Sequence, residues 1–217
     1  MTKVNTVIFD LDGTLLDTLG DLADSVNFAL KKYGLPERSL EEIKSFVGNG
    51  VRNLMQLSVP RGFENPKYES CLEAFREYYS ENMNNKTRPY KGIMELLAEL
   101  AKKNYKLAIV SNKFDSAVKK LSGEFFGEYI KVAIGESGGV RKKPEPDSVF
   151  QALKELASET GEAIYVGDSE VDVKTARNAG LPCVGVTWGF RNRELLITEG
   201  AVHIIDSPAE LLIYLEA

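Results

Sequence analysis

Two aspartates stand two residues apart in Phe9-Asp10-Leu11-Asp12-Gly13-Thr14, directly after the apolar run Val4-Asn5-Thr6-Val7-Ile8-Phe9. An acid pair at the end of a strand suits phosphate chemistry, in which one carboxylate attacks while a second, in a different protonation state, moves a proton. Taken alone, Asp12-Gly13 is an ordinary turn, since both residue types are favoured there. Three other strand-like runs change that judgement. Lys106–Val110 is followed by Ser111-Asn112-Lys113, Lys131–Ile134 leads through a glycine-bearing loop to Arg141-Lys142-Lys143-Pro144, and Ala163–Val166 ends in Gly167-Asp168-Ser169-Glu170-Val171-Asp172. A hydroxyl, a lysine and four acids at neighbouring strand ends form one constellation if the strands lie side by side. Serine nucleophile chemistry is disfavoured, because the single histidine, His203, lies in an apolar run near the C-terminus.

The elements that must position these residues follow from periodicity. The first run is apolar on nearly every residue, which predicts the centre of a parallel sheet covered on both faces. Ligands of such sheets collect at the carboxyl ends of the strands. After Thr14 the spacing becomes helical: Leu19, Leu22, Ala23, Val26, Leu30 and Tyr33 share a face, and Gly34 with Pro36 ends the run. Ser39-Leu40-Glu41-Glu42 has the form of a capping box. A further helix is expected from about Pro66 to Asn82, and no strand between Thr18 and Thr87. From Arg88 onward helices near 93–103, 115–121, 146–157 and 171–179 alternate with strands at 106–110, 130–134, 163–166 and 183–187. Such alternation predicts right-handed crossovers and a parallel sheet. The expected architecture is therefore an α/β core of residues 1–15 and 89–217, with a helical cap of residues 16–88 and crossings near 15–18 and 87–92 that act as hinges.

Composition narrows the partners. The chain has 217 residues, 43% hydrophobic and 27% charged, with a net charge of −5. These are globular values, enough for one α/β core and a module of roughly 70 residues. The acidic balance argues against a nucleic-acid surface; Arg141-Lys142-Lys143 is large enough for one phosphate, with Arg141 and Lys142 read as solvated. Cys71 and Cys183 lack metal or redox spacing and read as small buried hydrophobes of a reducing compartment. No signal-like block and no apolar run of about 18 residues is present, so a cytoplasmic location without membrane contact is the expectation.

In chain order, Asp10-x-Asp12-Gly13-Thr14, Ser111, Lys143-Pro144 and Gly167-Asp168-x-x-x-Asp172 resemble the four motifs of the haloacid dehalogenase superfamily. The insert after the first motif looks like that superfamily's type-one cap, and the resemblance implies a Rossmann-like core with magnesium. Asp12 moves the reading from dehalogenation to phosphoryl transfer, because the dehalogenase members lack it. Within the superfamily, Val47-Gly48-Asn49-Gly50-Val51-Arg52, Arg88-Pro89-Tyr90 and Ser111-Asn112-Lys113 look most like phosphoglycolate phosphatases. Pyrophosphatases and sugar-phosphate phosphatases or phosphomutases share much of the pattern.

The resemblance implies a phosphatase acting on a small phosphorylated metabolite. Asp10 would be the nucleophile and Asp12 the proton donor and acceptor, with Asp12 in the less charged setting. Ser111 and Lys143 would hold the phosphoryl oxygens, helped by backbone amides of Leu11, Asp12 and Asn112. Asp10, the carbonyl of Asp12 and Asp168 would hold Mg²⁺. Asp172 would complete that shell or orient Lys143, and it reads equally as an acid at a helix N-terminus. Asn49 and Arg52 are candidates for a substrate carboxylate, Arg52 also reading as an exposed helix residue. Trp188 and Phe190 are expected to pack. Gly13 is expected where the backbone needs close approach or a positive φ.

Overall fold

The computed structural model describes residues 4–216. It divides into two compact units, one of residues up to Leu16 with Pro89 onward, the other of Asp17–Arg88. In chain order the elements are β1 (Thr6–Phe9), β2 (Leu16–Asp17), α1 (Leu19–Lys32), α2 (Leu40–Phe46), α3 (Val51–Ser58), α4 (Tyr68–Asn82), β3 (Arg88–Pro89) and α5 (Ile93–Lys102). They continue with β4 (Lys106–Phe114), α6 (Asp115–Phe126), β5 (Val132–Glu136), α7 (Asp147–Glu155) and β6 (Ala163–Gly167). Next come α8 (Glu170–Ala179), β7 (Cys183–Val186), α9 (Arg193–Glu199), β8 (His203–Ile205) and α10 (Pro208–Glu216). Among the described residues no helix is long and apolar enough to cross a membrane.

The larger unit holds a six-stranded sheet in the order β5-β4-β1-β6-β7-β8, and every described pairing in it is parallel. β1 is central because three of its four side chains are apolar and the hydroxyl of the fourth, Thr6, is satisfied inside the protein by Asn5 Oδ1 at 2.6 Å. Its four residues are buried, and each of Val7, Ile8 and Phe9 contributes about 1.5–3 kcal/mol by leaving water. Ile8, Val110 and Tyr165 join Val149, Leu153 and Val173 in one apolar cluster, so α7 and α8 bury their apolar stripes against this part of the sheet. The chain runs β1, β4, β5 to one side and then returns to β6 on the other. The strand order thus reverses beside β1, where an open α/β sheet forms its ligand crevice.

Register sets what stands at that crevice. Phe9 pairs with Ile109 on one side and Val166 on the other, and the Asp10 amide donates to the Val166 carbonyl at 2.9 Å. Leu11, Ser111 and Asp168 each lie two residues beyond these partners, so the ends of three adjacent strands come level.

The second unit contains α1 to α4. Of the residues expected on one face, Leu22, Ala23, Val26 and Leu30 are buried in α1, while Leu19 at its start and Tyr33 just past its end are half-buried. The capping box before α2 forms: the Glu42 amide donates to Ser39 Oγ at 3.2 Å, and the Ser39 amide to Glu42 Oε2 at 2.8 Å. No helix bounds were expected over 51–58; α3 forms there and carries Arg52 as an exposed helix residue, one of its two expected readings. The chain passes between the units through β2 and β3, which pair with each other.

β4 differs from its expected extent. The polar run Ser111-Asn112-Lys113 predicts the strand's end at Val110, yet the strand continues to Phe114 with a register shift against β5 between these two residues. All three polar residues are buried, because their polar atoms find partners at the strand end. β8, α9 and α10 follow the last expected strand and carry weak periodicity. His203 lies in β8, exposed and stacked on Tyr214 at 4.8 Å, a surface role.

Candidate active site

The side chains at the strand ends meet around Lys143. Its Nζ donates to Asp10 Oδ1 at 2.8 Å, Asp172 Oδ1 at 2.7 Å and the Tyr165 hydroxyl at 3.1 Å, and the residue is 3% exposed. Tyr165 in turn donates to the Val110 carbonyl at 3.0 Å, which fixes the hydroxyl beneath the lysine. The Asn112 side-chain amide donates to the Lys143 carbonyl at 3.0 Å, tying the end of β4 to the lysine loop. Side chains that follow β1 and stand in β6 and α8 thereby hold an ammonium delivered from the loop after β5.

Asp168 is held from both sides. Thr14 Oγ1 donates to its Oδ1 at 3.1 Å and the Phe190 amide to its Oδ2 at 2.7 Å. Gly13 is required beside it: φ is +88°, and a Cβ there would stand 2.4 Å from Asp168 Oδ2. Asp172 belongs to a second capping box. Ser169 Oγ and the Ser169 amide donate to its Oδ2 at 2.6 and 3.0 Å, leaving Oδ1 for Lys143. Asp172 thus stands in the first turn of α8 and pairs with Lys143.

Asp10, Asp168 and Asp172 each offer an oxygen within 4.8 Å of the others, and all three are buried. One ammonium among three carboxylates leaves the cluster short of positive charge. Burial, then the nearby Asp172 and Asp12 charges, push the Asp10 carboxyl up to about 7 even with Lys143 opposing. Burial and the charges of Asp172 and Asp10 hold Asp168 well above the usual carboxylate range. Burial works against the charge of Lys143, but Asp10 and Asp172 outweigh it and hold its pKa well above the usual value. Hard oxygen donors lacking counter-charge are the donor set of a divalent cation, and these residues fit one.

Asp12 departs from its expected setting. Lys113 Nζ donates to its two carboxylate oxygens at 2.8 and 2.9 Å, and the Lys113 side chain is buried. A cation therefore faces the acid that was expected in the less charged place. Ser111 Oγ accepts from the Lys113 amide at 3.3 Å. Arg141 is exposed and pairs with Asp147 and Glu145. Cys71 and Cys183 are free and buried, and burial raises both thiols.

In the second unit, Arg52 lies in α3 and donates to Glu69 Oε1 at 2.8 Å, with its guanidinium over the Tyr68 ring at 5.8 Å. Tyr68 donates to the Arg52 carbonyl at 2.8 Å, and Asn49 lies in the turn before α3.

The sequence leaves four contributors without a role. Lys113 follows Ser111-Asn112 with no role legible from its type, although a lysine after an apolar strand needs an anion once the strand is buried. Tyr165 falls within the apolar run of β6, and its hydroxyl in an otherwise aliphatic strand is the signal. Trp188 and Phe190 were expected to pack, but a backbone amide acting on Asp168 leaves no trace in residue type.

A model of the haloacid dehalogenase-like hydrolases matches residues 7–186, from β1 through β7. The chain belongs to this family. It is 34% identical to a phosphoglycolate phosphatase of Aquifex aeolicus over 188 residues, 86% of each chain. It is 31% identical to phosphoglycolate phosphatase 1 of Pseudomonas aeruginosa over 212 residues, 95% of this chain and 78% of that one. Among solved structures, a Lactobacillus delbrueckii subsp. bulgaricus protein provisionally assigned as a phosphoglycolate phosphatase superimposes with a TM-score of 0.93 at 34% identity, over 99% of both chains. The fold shared with these hydrolases is the parallel α/β core with a helical insertion after its first strand.

Proposed function

We propose that this chain is a magnesium-dependent phosphatase that hydrolyses a small phosphate monoester, 2-phosphoglycolate, through an aspartyl-phosphate on Asp10. The observation that carries the reading is the meeting of Asp10, Asp168, Asp172 and Lys143 at the level ends of adjacent parallel strands. The helical unit, residues 16–88 as read from the sequence, would serve as the cap that excludes water and reads the leaving group.

Asp10, the Asp12 carbonyl, Asp168 and Asp172 are the residues that would hold Mg²⁺. Bound there, the ion would offset the repulsion between carboxylate and phosphate. Asp10 attacks phosphorus as the ester P–O bond breaks, and Asp12 gives its proton to the departing alkoxide oxygen. Water then attacks the phosphorus of the acyl phosphate. Its proton passes to Asp12, Asp10 is regenerated and phosphate leaves. Ser111, Lys143 and the amides of Leu11, Asp12 and Asn112 hold the phosphoryl oxygens through the charge change. The Lys113 ammonium, which donates to both oxygens of Asp12, would steer that acid between the two steps.

The substrate assignment draws on the relatives named above and on Arg52, with Asn49 beside it. A guanidinium is the suitable fork for a carboxylate. Phosphate release should be screened over 2-phosphoglycolate, pyrophosphate and sugar phosphates, with and without chelation. Turnover should be fastest on 2-phosphoglycolate and vanish without divalent cation. Arg52→Ala should lower kcat/KM for phosphoglycolate by at least about 10-fold, and for an uncharged ester by much less. A preference for pyrophosphate or a sugar phosphate, or equal losses on both esters, would replace this substrate.

A further inference from the structure

The segment after β7, Thr187-Trp188-Gly189-Phe190-Arg191, touches the acidic cluster at more points than a connecting loop needs. The Phe190 amide donates to Asp168 Oδ2 at 2.7 Å. Trp188 Nε1 donates to the Thr14 carbonyl at 3.0 Å, so the loop also grips the residue whose hydroxyl bonds Asp168 Oδ1. Gly189 lies against both partners: a Cβ there would stand 2.3 Å from the Gly13 carbonyl oxygen and 2.4 Å from Asp168 Cβ. Arg191 closes the loop onto α8 with a two-pronged grip on Glu170, at 2.9 and 3.5 Å. This pair is largely buried, its side chains 12% and 22% exposed. Glu170 is two residues from Asp168 in the chain, so the grip fastens the loop to the turn that carries the carboxylate.

A carboxylate with one oxygen held by a hydroxyl and the other by an amide cannot rotate without losing both bonds. We propose that residues 187–191 are a positioning loop for the cation site, with Arg191 as its latch: the loop fixes the Asp168 carboxylate in the orientation a cation requires, and Arg191 holds the loop down through Glu170. This rests on the cation reading given above. Outer partners of metal-binding carboxylates typically change metal affinity about 10–100-fold when removed. Arg191 acts through the loop, so its loss is expected at the lower end of that range.

The sign of the effect separates positioning from charge. Removing a nearby positive group by itself strengthens cation binding, since less repulsion remains. Loss of a latch weakens it. The experiment is a magnesium chloride titration of the full chain by calorimetry, with emission of Trp188, the chain's single tryptophan, followed alongside. Arg191→Ala should raise the Mg²⁺ dissociation constant about 10-fold, leave the substrate KM at saturating Mg²⁺ within about twofold, and regain turnover as Mg²⁺ is raised. Should the alanine variant fail to fold by circular dichroism, Arg191→Lys decides, because it keeps the charge and loses the two-pronged grip. It should weaken Mg²⁺ several-fold, whereas a charge effect alone predicts no change. Unchanged or tighter Mg²⁺ binding in a folded variant overturns the positioning role while the cation reading survives. Absence of Mg²⁺ binding by the unaltered protein overturns both.

Discussion

Two regions of this molecule bury carboxylates, and they treat them oppositely. In the helical unit, Asp21 in the first turn of α1 is 2% exposed. It accepts from the Lys86 amide on both oxygens at 3.0 Å, the Thr87 amide at 2.9 Å and Thr87 Oγ1 at 2.8 Å. In the α/β unit, Asp10, Asp168 and Asp172 crowd within 4.8 Å of one another, and one ammonium, Lys143, bonds two of them, Asp10 and Asp172. A buried acid surrounded by enough donors is a structural fastener. Buried acids left short of positive charge hold energy in reserve for something that binds. Burial alone therefore does not mark a site; the balance between donors and charge does.

The largest expected effect lies on the crowded side. Asp10→Asn should cut turnover by on the order of 10⁴-fold or more, as loss of a nucleophile does, while thermal unfolding shows stability equal or slightly raised, because one of three mutually repelling carboxylates is gone. A folded variant with normal turnover would remove Asp10 from the chemistry. The satisfied side should respond in stability instead. Asp21→Ala leaves amide donors buried without their acceptor and should cost about 3 kcal/mol in denaturant unfolding, with Mg²⁺ affinity unchanged. Little loss of stability there would break the contrast drawn above. Least affected should be Arg141, exposed and paired with Asp147 and Glu145. Arg141→Ala should leave the unfolding midpoint and kcat/KM within measurement error, whereas Lys143→Ala, two residues on, should abolish turnover.

Much of the α/β core was legible because its strands are short apolar runs and its helices carry apolar stripes. β1, β6 and β7 fall where the hydrophobic runs predict, and the capping pattern at Ser39 locates α2. Legibility failed where polar residues are buried by one another. Ser111, Asn112 and Lys113 look like a loop by type, yet they extend β4, since Lys113 has Asp12 and Asn112 has the Lys143 carbonyl. It failed again at residues 187–191, whose contribution to Asp168 is made by a backbone amide that every residue but proline possesses.

From the sequence alone came the acids, the hydroxyl and the lysine proposed for the site and their place at strand ends or in the segments that follow them, because apolar periodicity and turn chemistry are local properties carried by neighbouring residues. Which charge meets which was decided only in three dimensions. Asp12 and Lys113 are 101 residues apart in the chain, Asp10 and Lys143 are 133, and Thr14 and Asp168 are 154. Such pairings follow from strand order and register, and these are set by how whole elements pack.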